Sequence, residues 1–388
     1  MTSLRPVTYE DVRWDPQGNR SGSVAACTYH PAVPVKIEHL ALDLSASAFA
    51  QAEYASQEIA RFDAELGGEI APFSAVLLRS EAAASSQIEN LTASARAIAE
   101  AELPGAKPKR NAEMIVANTA AMQAAIALSD ILDADAILRM HRVLMANDSR
   151  HTPGEFRTEP VWIGGGATPI GATFVGPRHE IVPGAIRDLI KFAQRADVPG
   201  LPQIAVAHAQ FETIHPFTDR NGRTGRVLLQ AMLRNKRLTR QVTVPVSAGL
   251  LADTGAYFAA LTSYRDGDAE PIVECVSGAT VLAIANGRQL VADLRDIRAK
   301  WNDVITARSD SAVWKVADLL TRRAVVNAAL LQQELGIDST NAHRYLNPLT
   351  ESGILIETTS GRRNRVWCSP EVLAALDAFA ARAGRRTT

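Results

Sequence analysis

Hydrophobic side chains recur every three or four positions along most of this chain, which is the spacing of amphipathic helices. Alanine and leucine dominate these windows, and both residues have high helix propensity. The pattern predicts helices over nine segments, namely 45–68, 72–103, 110–128, 133–147, 184–196, 201–214, 222–237, 252–265 and 270–305. We therefore expect a mainly α protein whose core is formed by packed helices.

The helical pattern is interrupted between residues 150 and 182, where glycine, proline, threonine and β-branched residues replace the alanines and leucines. The run GGG at 164–166 suits a flexible bend. The residues around it favour strands. The sequence therefore predicts a short β-hairpin, which we call the flap. The flap residues of interest are Ala172, Thr173, Phe174 and Val175.

The carboxy-terminal module, residues 311–388, has a different order of elements. Three short helical segments precede LIETTSGRRNRVWC, which has the pattern of two strands around a turn. Helix, helix, helix and β-wing is the order of a winged helix-turn-helix. The module has ten Lys or Arg and seven Asp or Glu, so it is mildly basic. Side chains available to DNA are Asn341, His343 and Arg344 on its third helix and Arg362, Arg363 and Arg365 in the wing.

The composition narrows the class of protein. The chain has 388 residues and a formal net charge of −1, so no overall field attracts it to nucleic acid or membrane. Three cysteines, far apart and odd in number, indicate neither a disulfide framework nor a cysteine metal site. No stretch approaches ~20 apolar residues, and the amino terminus lacks a signal-peptide pattern. We expect a soluble cytoplasmic protein that does not contact the membrane.

The densest polar chemistry lies in HPFTDRNGRTGR, which begins at His215. Because His215 precedes a proline, the helix before it should end there, and the imidazole can act as a general base. A helix that restarts near Gly222 would point its first amides at an anion. Arg223 and Arg226 lie three positions apart and suit phosphate. A single carboxylate between base and arginines is how Mg²⁺ is usually held, so these are the parts of nucleotidyl or phosphoryl transfer.

This stretch resembles the signature of Fic-domain proteins, HPFx(D/E)GNGRxxR, and matches it at every fixed position but one. The segments PGEFR, VWIGG and GATFVGP also resemble Fic chains, and the similarity covers roughly residues 10–300. The resemblance implies a mainly α Fic-type core with a β-hairpin flap, followed by the winged-helix module. It also implies that AMP is transferred from ATP, with Mg²⁺, to a hydroxyl side chain of a protein.

The resemblance implies roles for individual residues. His215 would be the general base, and Asp219 would bind Mg²⁺ at the α- and β-phosphates. The flap would align the target segment by strand addition. The nucleotide-binding residues would be Asn221, Gly222, Arg223, Gly225, Arg226 and Tyr257. The corresponding domains would be an amino-terminal Fic-associated segment at 1–65, the catalytic core at 66–305 and the winged helix at 311–388.

Arg220 is the one departure, because the family usually has glycine there. If the backbone needs a positive φ, a residue with a side chain costs on the order of 1–2 kcal/mol. The arginine would then reshape the anion hole and weaken ATP binding. Alternatively, its side chain points to solvent or adds a phosphate contact. Gly222 and Arg223, which follow closely, match the signature, so we do not expect an inactive enzyme.

A second motif, SSQIEN, resembles the Fic inhibitory motif (S/T)xxxE(G/N) with Ser85, Glu89 and Asn90 in place. Ser85 and Glu89 are four apart, so on one helix their side chains would share a face. We expect that helix to span about 72–102. The resemblance implies that Glu89 pairs with Arg226 and keeps ATP in a non-productive pose.

Three classes of function stay open at this point. The first is AMP transfer to Ser, Thr or Tyr hydroxyls of a protein, including this chain itself, under the restraint of Glu89. The second is AMP removal or another phosphate transfer on the same scaffold. The third is a nucleotide-sensing regulator that binds DNA through residues 311–388. A homodimer is compatible with each of them.

Overall fold

The structure is a computed structural model that describes residues 3–14, 27–66, 70–146, 152–166, 168–359 and 364–384. Over these ranges the protein is mainly helical with a few short strands, as the sequence predicts. Among the described helices, none combines the length and the apolar composition that crossing a bilayer requires.

The elements are numbered in chain order. The helices of the described ranges are α1 Ala46–Leu66, α2 Ile70–Ile88, α3 Ala95–Ala101, α4 Arg110–Ala127, α5 Ala134–Leu144, α6 Val182–Gln194, α7 Gly200–Ile214, α8 Asn221–Asn235, α9 Val246–Ala252, α10 Thr254–Arg265, α11 Glu270–Val304, α12 Ala312–Leu320, α13 Ala328–Leu335, α14 Ala342–Glu351 and α15 Pro370–Gly384. The strands are β1 Thr8–Tyr9, β2 Val12–Trp14, β3 Cys27–Tyr29, β4 Ala32–Val33, β5 Trp162–Ile163, β6 Phe174–Val175, β7 Val325–Asn327, β8 Ile356–Glu357 and β9 Val366–Cys368.

The chain divides into two compact units. The first unit comprises Met1–Ser56, Gln123–Leu238 and Gly255–Ser277. The second unit comprises Gln57–Met122, Thr239–Thr254 and Gly278–Thr388. The sequence-based division at residues 65, 305 and 311 stays a prediction.

Helix α7 is the centre of the first unit. Every residue from Leu201 to Ile214 is buried, and α7 packs against both α6 and α8. A helix that is buried on all sides must satisfy its polar side chains internally. Gln203 does so by donating to the Phe192 carbonyl oxygen at 2.6 Å, and Gln210 donates to the Val35 carbonyl at 2.8 Å. This buried helix ends at the polar stretch that begins at His215.

The predicted flap is confirmed as a short antiparallel hairpin. Trp162 of β5 pairs with Val175 of β6, and Ile163 pairs with Phe174. Gly164 has a φ of +72°, and a Cβ there would lie 2.5 Å from the Thr173 hydroxyl oxygen, so the bend needs glycine. The amino-terminal segment adds two small antiparallel pairs, β1 with β4 and β2 with β3.

The second unit is held together by carboxylates on α1 and α2. Asp63 accepts hydrogen bonds from three consecutive backbone amides, those of residues 240–242, at 2.9–3.0 Å. Glu81 accepts from the Ser247 amide at 2.8 Å and from its hydroxyl at 2.7 Å. Both carboxylates are buried, where an ion needs such donors to offset its lost hydration. The Glu81 bonds fix α2 against α9, and the Asp63 bonds fix the segment before α9 to α1.

The predicted single helix at about 72–102 is wrong, because two helices occupy this range. Helix α2 ends at Ile88, and α3 begins at Ala95, where the Ser94 side chain accepts a hydrogen bond from the Ala97 amide. Serine in this position caps a helix start. The alanine-rich pattern on both sides of the break hides these two stop and start signals.

The carboxy-terminal module has three helices followed by two strands, in the predicted order, with an additional strand, β7, between α12 and α13. Strands β7, β9 and β8 form an antiparallel sheet in that order, and α15 follows. Arg362 and Arg363 lie outside the described residues. The identification of this module as a winged helix stays a prediction.

Candidate active site

The polar stretch connects the end of α7 to the start of α8. His215 closes α7 in the left-handed conformation, φ 49° and ψ 61°, and its amide donates to the Phe211 carbonyl at 2.9 Å. The helix therefore ends where the following proline predicts. Asn221 opens α8 and bonds both ways with the Phe217 backbone, accepting from its amide at 2.8 Å and donating to its carbonyl at 2.7 Å. The loop is thus closed on itself and presents His215 at a defined position.

The imidazole of His215 is held by the last turn of α7. Its Nδ1 lies 3.3 Å from the Glu212 carbonyl oxygen and 4.0 Å from a Glu212 carboxylate oxygen. A carbonyl oxygen only accepts, so this bond requires a proton on Nδ1 and leaves Nε2 of the neutral ring with its lone pair. The side chain is 17% exposed, so a reactant can reach it. His215 therefore has the tautomer and the access of a general base.

Arg157 also holds this loop in place, through hydrogen bonds to backbone carbonyls. The sequence-based predictions assign no role to this residue. Its guanidinium donates to the carbonyl of His215 at 2.8 Å and to that of Glu159 at 2.9 Å. It also donates to the carbonyl of Pro177, just after the flap. Burial lowers the pKa of Arg157 to about 10, which still leaves it charged at neutral pH. In the sequence, the signal for a role of Arg157 is the PGEFR segment, whose last residue is Arg157.

Phe217 forms the floor of the loop. It is fully buried and stacks on His141 of α5 with ring centroids 3.7 Å apart and an interplanar angle of 6°. The Nδ1 atom of His141 accepts a hydrogen bond from the Gly154 amide at 3.0 Å. The stack therefore ties the loop to α5 and to the segment that leads to Arg157.

Arg220 has a left-handed backbone, φ 62° and ψ 24°, so this position does have the positive φ that favours glycine. Its side chain is only 4% exposed, and its guanidinium donates to the carbonyl oxygen of Leu144, the last residue of α5. The alternative in which the side chain points to solvent is therefore wrong. The last carbonyls of a helix lack intrahelical partners, and a guanidinium supplies one.

Asp219 is the one carboxylate inside the loop. It is 39% exposed, and one oxygen accepts from the Arg220 amide at 2.7 Å while the other lies 3.8 Å from Arg220 Nε. Among the described residues there is no cluster of three or more metal-ligating side chains. A lone, half-exposed carboxylate fits Mg²⁺ that takes its other ligands from phosphates and water. The donor set is therefore compatible with Mg²⁺ in the presence of a nucleotide.

The first turns of α8 carry the predicted phosphate-binding residues. Gly222 is half-buried, whereas Arg223 and Arg226 are 4% and 1% exposed. A Cβ on Gly225 would lie 2.3 Å from the Glu212 carboxylate oxygen and 3.0 Å from the Phe211 ring. Gly225 therefore allows α8 to approach α7 closely. This packing role is separate from the predicted role of Gly225 in nucleotide binding.

Tyr257 lies in the core of the first unit. It is 1% exposed, and its hydroxyl is 2.8 Å from Nε2 of His208 on α7. Burial lowers the pKa of His208 to about 3, with a further contribution from the positive charge of Arg226, so His208 stays neutral. Tyr257 therefore orients His208 next to Arg226. A contact between Tyr257 and adenine stays a prediction.

Arg265 connects the flap to the last turn of α7. Its guanidinium lies 3.8 Å from the centroid of the Phe174 ring and donates to the Glu212 carbonyl at 3.4 Å. Phe174 and Val175 are buried, whereas Ala172 is half-buried and Thr173 is exposed. Of the four predicted flap residues, Ala172 and Thr173 therefore have side chains that a bound segment can touch.

The predicted inhibitory motif forms the end of α2 in the second unit. Ser85 is fully buried, and Glu89 and Asn90 are exposed. The Asn90 amide donates to the Gln87 carbonyl at 2.9 Å, and the Leu91 amide donates to the Ser86 carbonyl at 3.0 Å. With Asn90 at φ 60°, these two bonds form a Schellman motif. The motif accepts glycine or asparagine after the glutamate because that residue must be left-handed.

Comparison with known proteins places this site in a family. Residues 131–233 match the model of the Fic/DOC family. Protein adenylyltransferase fic-1 of Caenorhabditis elegans is 30% identical over 148 residues, which is 38% of this chain and 27% of that protein. Protein adenylyltransferase Fic of Drosophila willistoni is 27% identical over 145 residues, 37% of this chain and 27% of the relative. The chain spans about a quarter of the length of these curated relatives.

A solved structure supports the same fold. The crystal structure of a Fic family protein from Desulfovibrio desulfuricans G20 superimposes with a TM-score of 0.54 and 22% sequence identity. The match covers 84% of this chain and 97% of that chain. Helix α7, the loop that carries His215 and α8 up to residue 233 lie inside the residues that match the family model. The protein therefore contains a Fic domain at residues 131–233, within a mainly α fold of the Fic type.

Proposed function

We propose that this protein transfers AMP from ATP to a hydroxyl of a protein Ser, Thr or Tyr side chain, its own hydroxyls included. The observation that carries the proposal is the position of His215, whose Nδ1 is bonded to the Glu212 carbonyl, so that Nε2 of the neutral ring is the basic nitrogen. The names of the curated relatives support the choice of AMP as the transferred group.

The reaction requires one base, which takes up the hydroxyl proton, and one leaving group, which is pyrophosphate. Nε2 of His215 accepts the proton of the target hydroxyl, and the hydroxyl oxygen forms a bond to the α-phosphorus of ATP. The bond from the α-phosphorus to the oxygen that bridges the β-phosphate breaks, and pyrophosphate leaves with the electron pair. The imidazolium is stabilised by the carboxylate of Glu212, 4.0 Å from Nδ1.

The start of α8 would hold the triphosphate. The first amides of the helix, at Asn221, Gly222 and Arg223, favour an anion. Arg223 and Arg226 would bind the β- and γ-phosphates through their paired donors. Asp219 would hold Mg²⁺, which neutralises phosphate charge when bound. The flap would receive the target as an added strand, with Thr173 and Ala172 facing it.

We further propose that Glu89 restrains this activity by competing with the γ-phosphate for Arg226. The Schellman turn at Asn90 supports the idea, because it gives the glutamate a defined position at the end of α2. Removal of the carboxylate would free the arginine for ATP. A homodimer that covers the end of α2 is compatible with this restraint.

A second candidate function is DNA binding by the carboxy-terminal module. Asn341 and Arg344 are exposed at the start of α14, where a groove-reading helix presents its contacts. Arg365 is less available, because it forms an ion pair with Glu357 and contacts His343 at 3.3 Å. A filter-binding titration of the full chain with duplex DNA tests this function. Affinity that does not fall with rising salt, or no affinity, would remove it.

AMP transfer is tested with ATP labelled at the α- or the γ-phosphate, with Mg²⁺, on wild type, Glu89→Gly and His215→Ala. We expect label from the α-position alone, stronger in Glu89→Gly and absent in His215→Ala. Label from the γ-position would instead indicate phosphoryl transfer. Loss of label from pre-modified protein would indicate AMP removal. ATP binding without any label transfer would favour the nucleotide-sensing regulator.

A further inference from the structure

A cavity of about 130 Å³ lies within the second unit, between α2, α3 and α15. Its walls are mainly apolar, with Ala83 on α2, Ile98 on α3 and Phe379 on α15 among them. We call this cavity the α2–α3 pocket. An engineered protein cavity of similar volume, roughly 150 Å³, stays dry and binds benzene. The α2–α3 pocket therefore suits an apolar group of roughly six to eight carbons.

The rim of the pocket is rich in guanidinium groups. Arg79, Arg322 and Arg323 line it, and Nε of Arg79 is 2.8 Å from both carboxylate oxygens of Glu102. Arg323 donates to Glu102 at 2.5 Å and to Glu334 at 3.2 Å. Three guanidinium groups offer about fifteen N–H donors, whereas the carboxylates of Glu102, Glu334 and Asp377 offer about twelve acceptor sites.

The surplus of donors decides the charge of a ligand. Arg322 and Arg323 have side chains that are 31% and 25% exposed, so they can turn toward a molecule at the mouth of the pocket. A carboxylate supplies the acceptors that these guanidinium groups bind best. A cation would meet three guanidinium groups against the two lining carboxylates of Glu102 and Asp377, and a hydrocarbon without a head group would gain nothing from the rim.

The pocket also borders the inhibitory motif on both sides. Gln87 in the last turn of α2, and Leu91 and Thr92 just after it, line the pocket. The amide of Leu91 makes one of the two bonds of the Schellman turn. A molecule in the pocket would therefore contact the residues that hold Glu89 in place.

We propose that the α2–α3 pocket binds a small apolar molecule with a single carboxylate, and that its occupation shifts the Glu89 segment and changes the restraint on the active site. The binding step stands independently of the reaction. The regulatory step rests on the proposed function.

Binding is tested by isothermal titration calorimetry of the full chain with octanoate, compared with 1-octanol and octylamine. We expect one saturable octanoate site and no comparable site for the other two. Arg323→Gln should weaken octanoate by about tenfold, because a charge-assisted hydrogen bond is lost. Ala99→Leu, which fills the pocket from α3, should abolish binding. The matched control Ala381→Leu, on the exposed face of α15, should leave it unchanged.

Two results would overturn the binding step. One is the absence of a saturable octanoate site, and the other is equal binding of octylamine. The regulatory step is tested by AMP transfer with and without octanoate in wild type and in Glu89→Gly. We expect octanoate to change the rate in wild type and not in Glu89→Gly. An unchanged wild-type rate at saturating octanoate would refute regulation, whereas inactivity of Glu89→Gly would refute the proposed function and leave the binding result intact.

Discussion

The guanidinium of Arg220 donates a hydrogen bond to the carbonyl oxygen of Leu144, 76 residues earlier in the chain. The residue that replaces the usual glycine of the signature therefore closes the end of α5 while its own backbone is left-handed. The bond offsets the conformational cost of a side chain at this φ. It also connects the start of α8 to the end of α5.

Replacing Arg220 by glycine should lower stability. The backbone gains about 1 kcal/mol by relief of the left-handed conformation, but the buried charge-assisted bond to Leu144 is worth about 2 kcal/mol. Urea unfolding should therefore show a net loss of about 1 kcal/mol. Arg237 is the matched control, since it is also left-handed, at φ 58°, but exposed. Arg237→Gly should stabilise the protein, and a gain of stability in Arg220→Gly would contradict the capping role.

Arg157→Ala should reduce AMP transfer more than ATP binding. The substitution removes the donors that hold the carbonyls of His215 and Pro177, so the base loses its position while the start of α8 is kept. We expect a transfer rate at least about tenfold lower and a stability loss of about 3 kcal/mol. Arg157→Lys should be nearly as impaired, because an ammonium cannot reproduce the planar fork.

The control for Arg157 is Arg178→Ala, which removes an exposed arginine paired with Glu180. It should change neither rate nor stability noticeably. Equal effects of the two alanine variants on the transfer rate would show that Arg157 acts only through overall charge.

Asn90→Ala should raise the basal AMP-transfer rate, whereas Asn90→Gly should leave it at the wild-type level. Glycine adopts the left-handed conformation without cost, whereas alanine pays about 1 kcal/mol and loosens the Schellman turn. We expect Asn90→Ala to raise the basal AMP-transfer rate, because Glu89 is no longer held, and Asn90→Gly to keep it low. Radiolabel transfer from α-labelled ATP measures both rates. A low rate in Asn90→Ala would mean that the turn does not position Glu89.

Gly225→Ala should destabilise the first unit by about 3 kcal/mol, because its methyl group would overlap the Glu212 carboxylate oxygen at 2.3 Å. The overlap involves the carboxylate that neighbours His215, so transfer should fall as well. Gly166→Ala is the control, since a Cβ there meets nothing within 4 Å. Thermal unfolding of both variants checks the expectation, and equal melting temperatures would contradict the close approach of α7 and α8.

Stability should fall as pH drops below about 6.5 because of His208. Its folded-state pKa of about 3 lies below the ordinary value of 6.5, so the unfolded chain binds the proton first. Above about pH 6.5, His208 does not lower the free energy of unfolding, because the histidine is neutral in both the folded and the unfolded state. Between about pH 6.5 and pH 3, the free energy of unfolding falls by roughly 1.4 kcal/mol per pH unit.

Urea unfolding at pH 7 and pH 5 measures the His208 contribution. Wild type should lose about 2 kcal/mol more over this interval than His208→Gln, which has no titrating group at this position. His39→Gln removes a histidine that is 81% exposed and should behave like wild type. Identical pH dependence in wild type and His208→Gln would mean that His208 is not held neutral.

Features that depend on neighbours along the chain follow from the amino-acid sequence alone. The proline after His215 ends α7, the polar run that follows opens α8 at Asn221, and the glycines around residues 164–166 permit the flap. Local backbone preferences and a dense motif are enough for these features, and the motif also identifies the Fic domain. The break at Asn90 does not follow from the sequence pattern, because alanine-rich sequence favours a helix on both sides of it.

The distant partner that each polar side chain contacts follows from the packing of the helices and not from the sequence pattern. Arg157 reaches the carbonyl of His215 across 58 residues, and Tyr257 reaches His208 across 49. No pattern along the chain encodes such pairs, because they depend on how helices pack and which carbonyls remain without partners at helix ends. The same holds for Arg220, whose side chain is buried because it donates a hydrogen bond to a carbonyl oxygen at the end of α5.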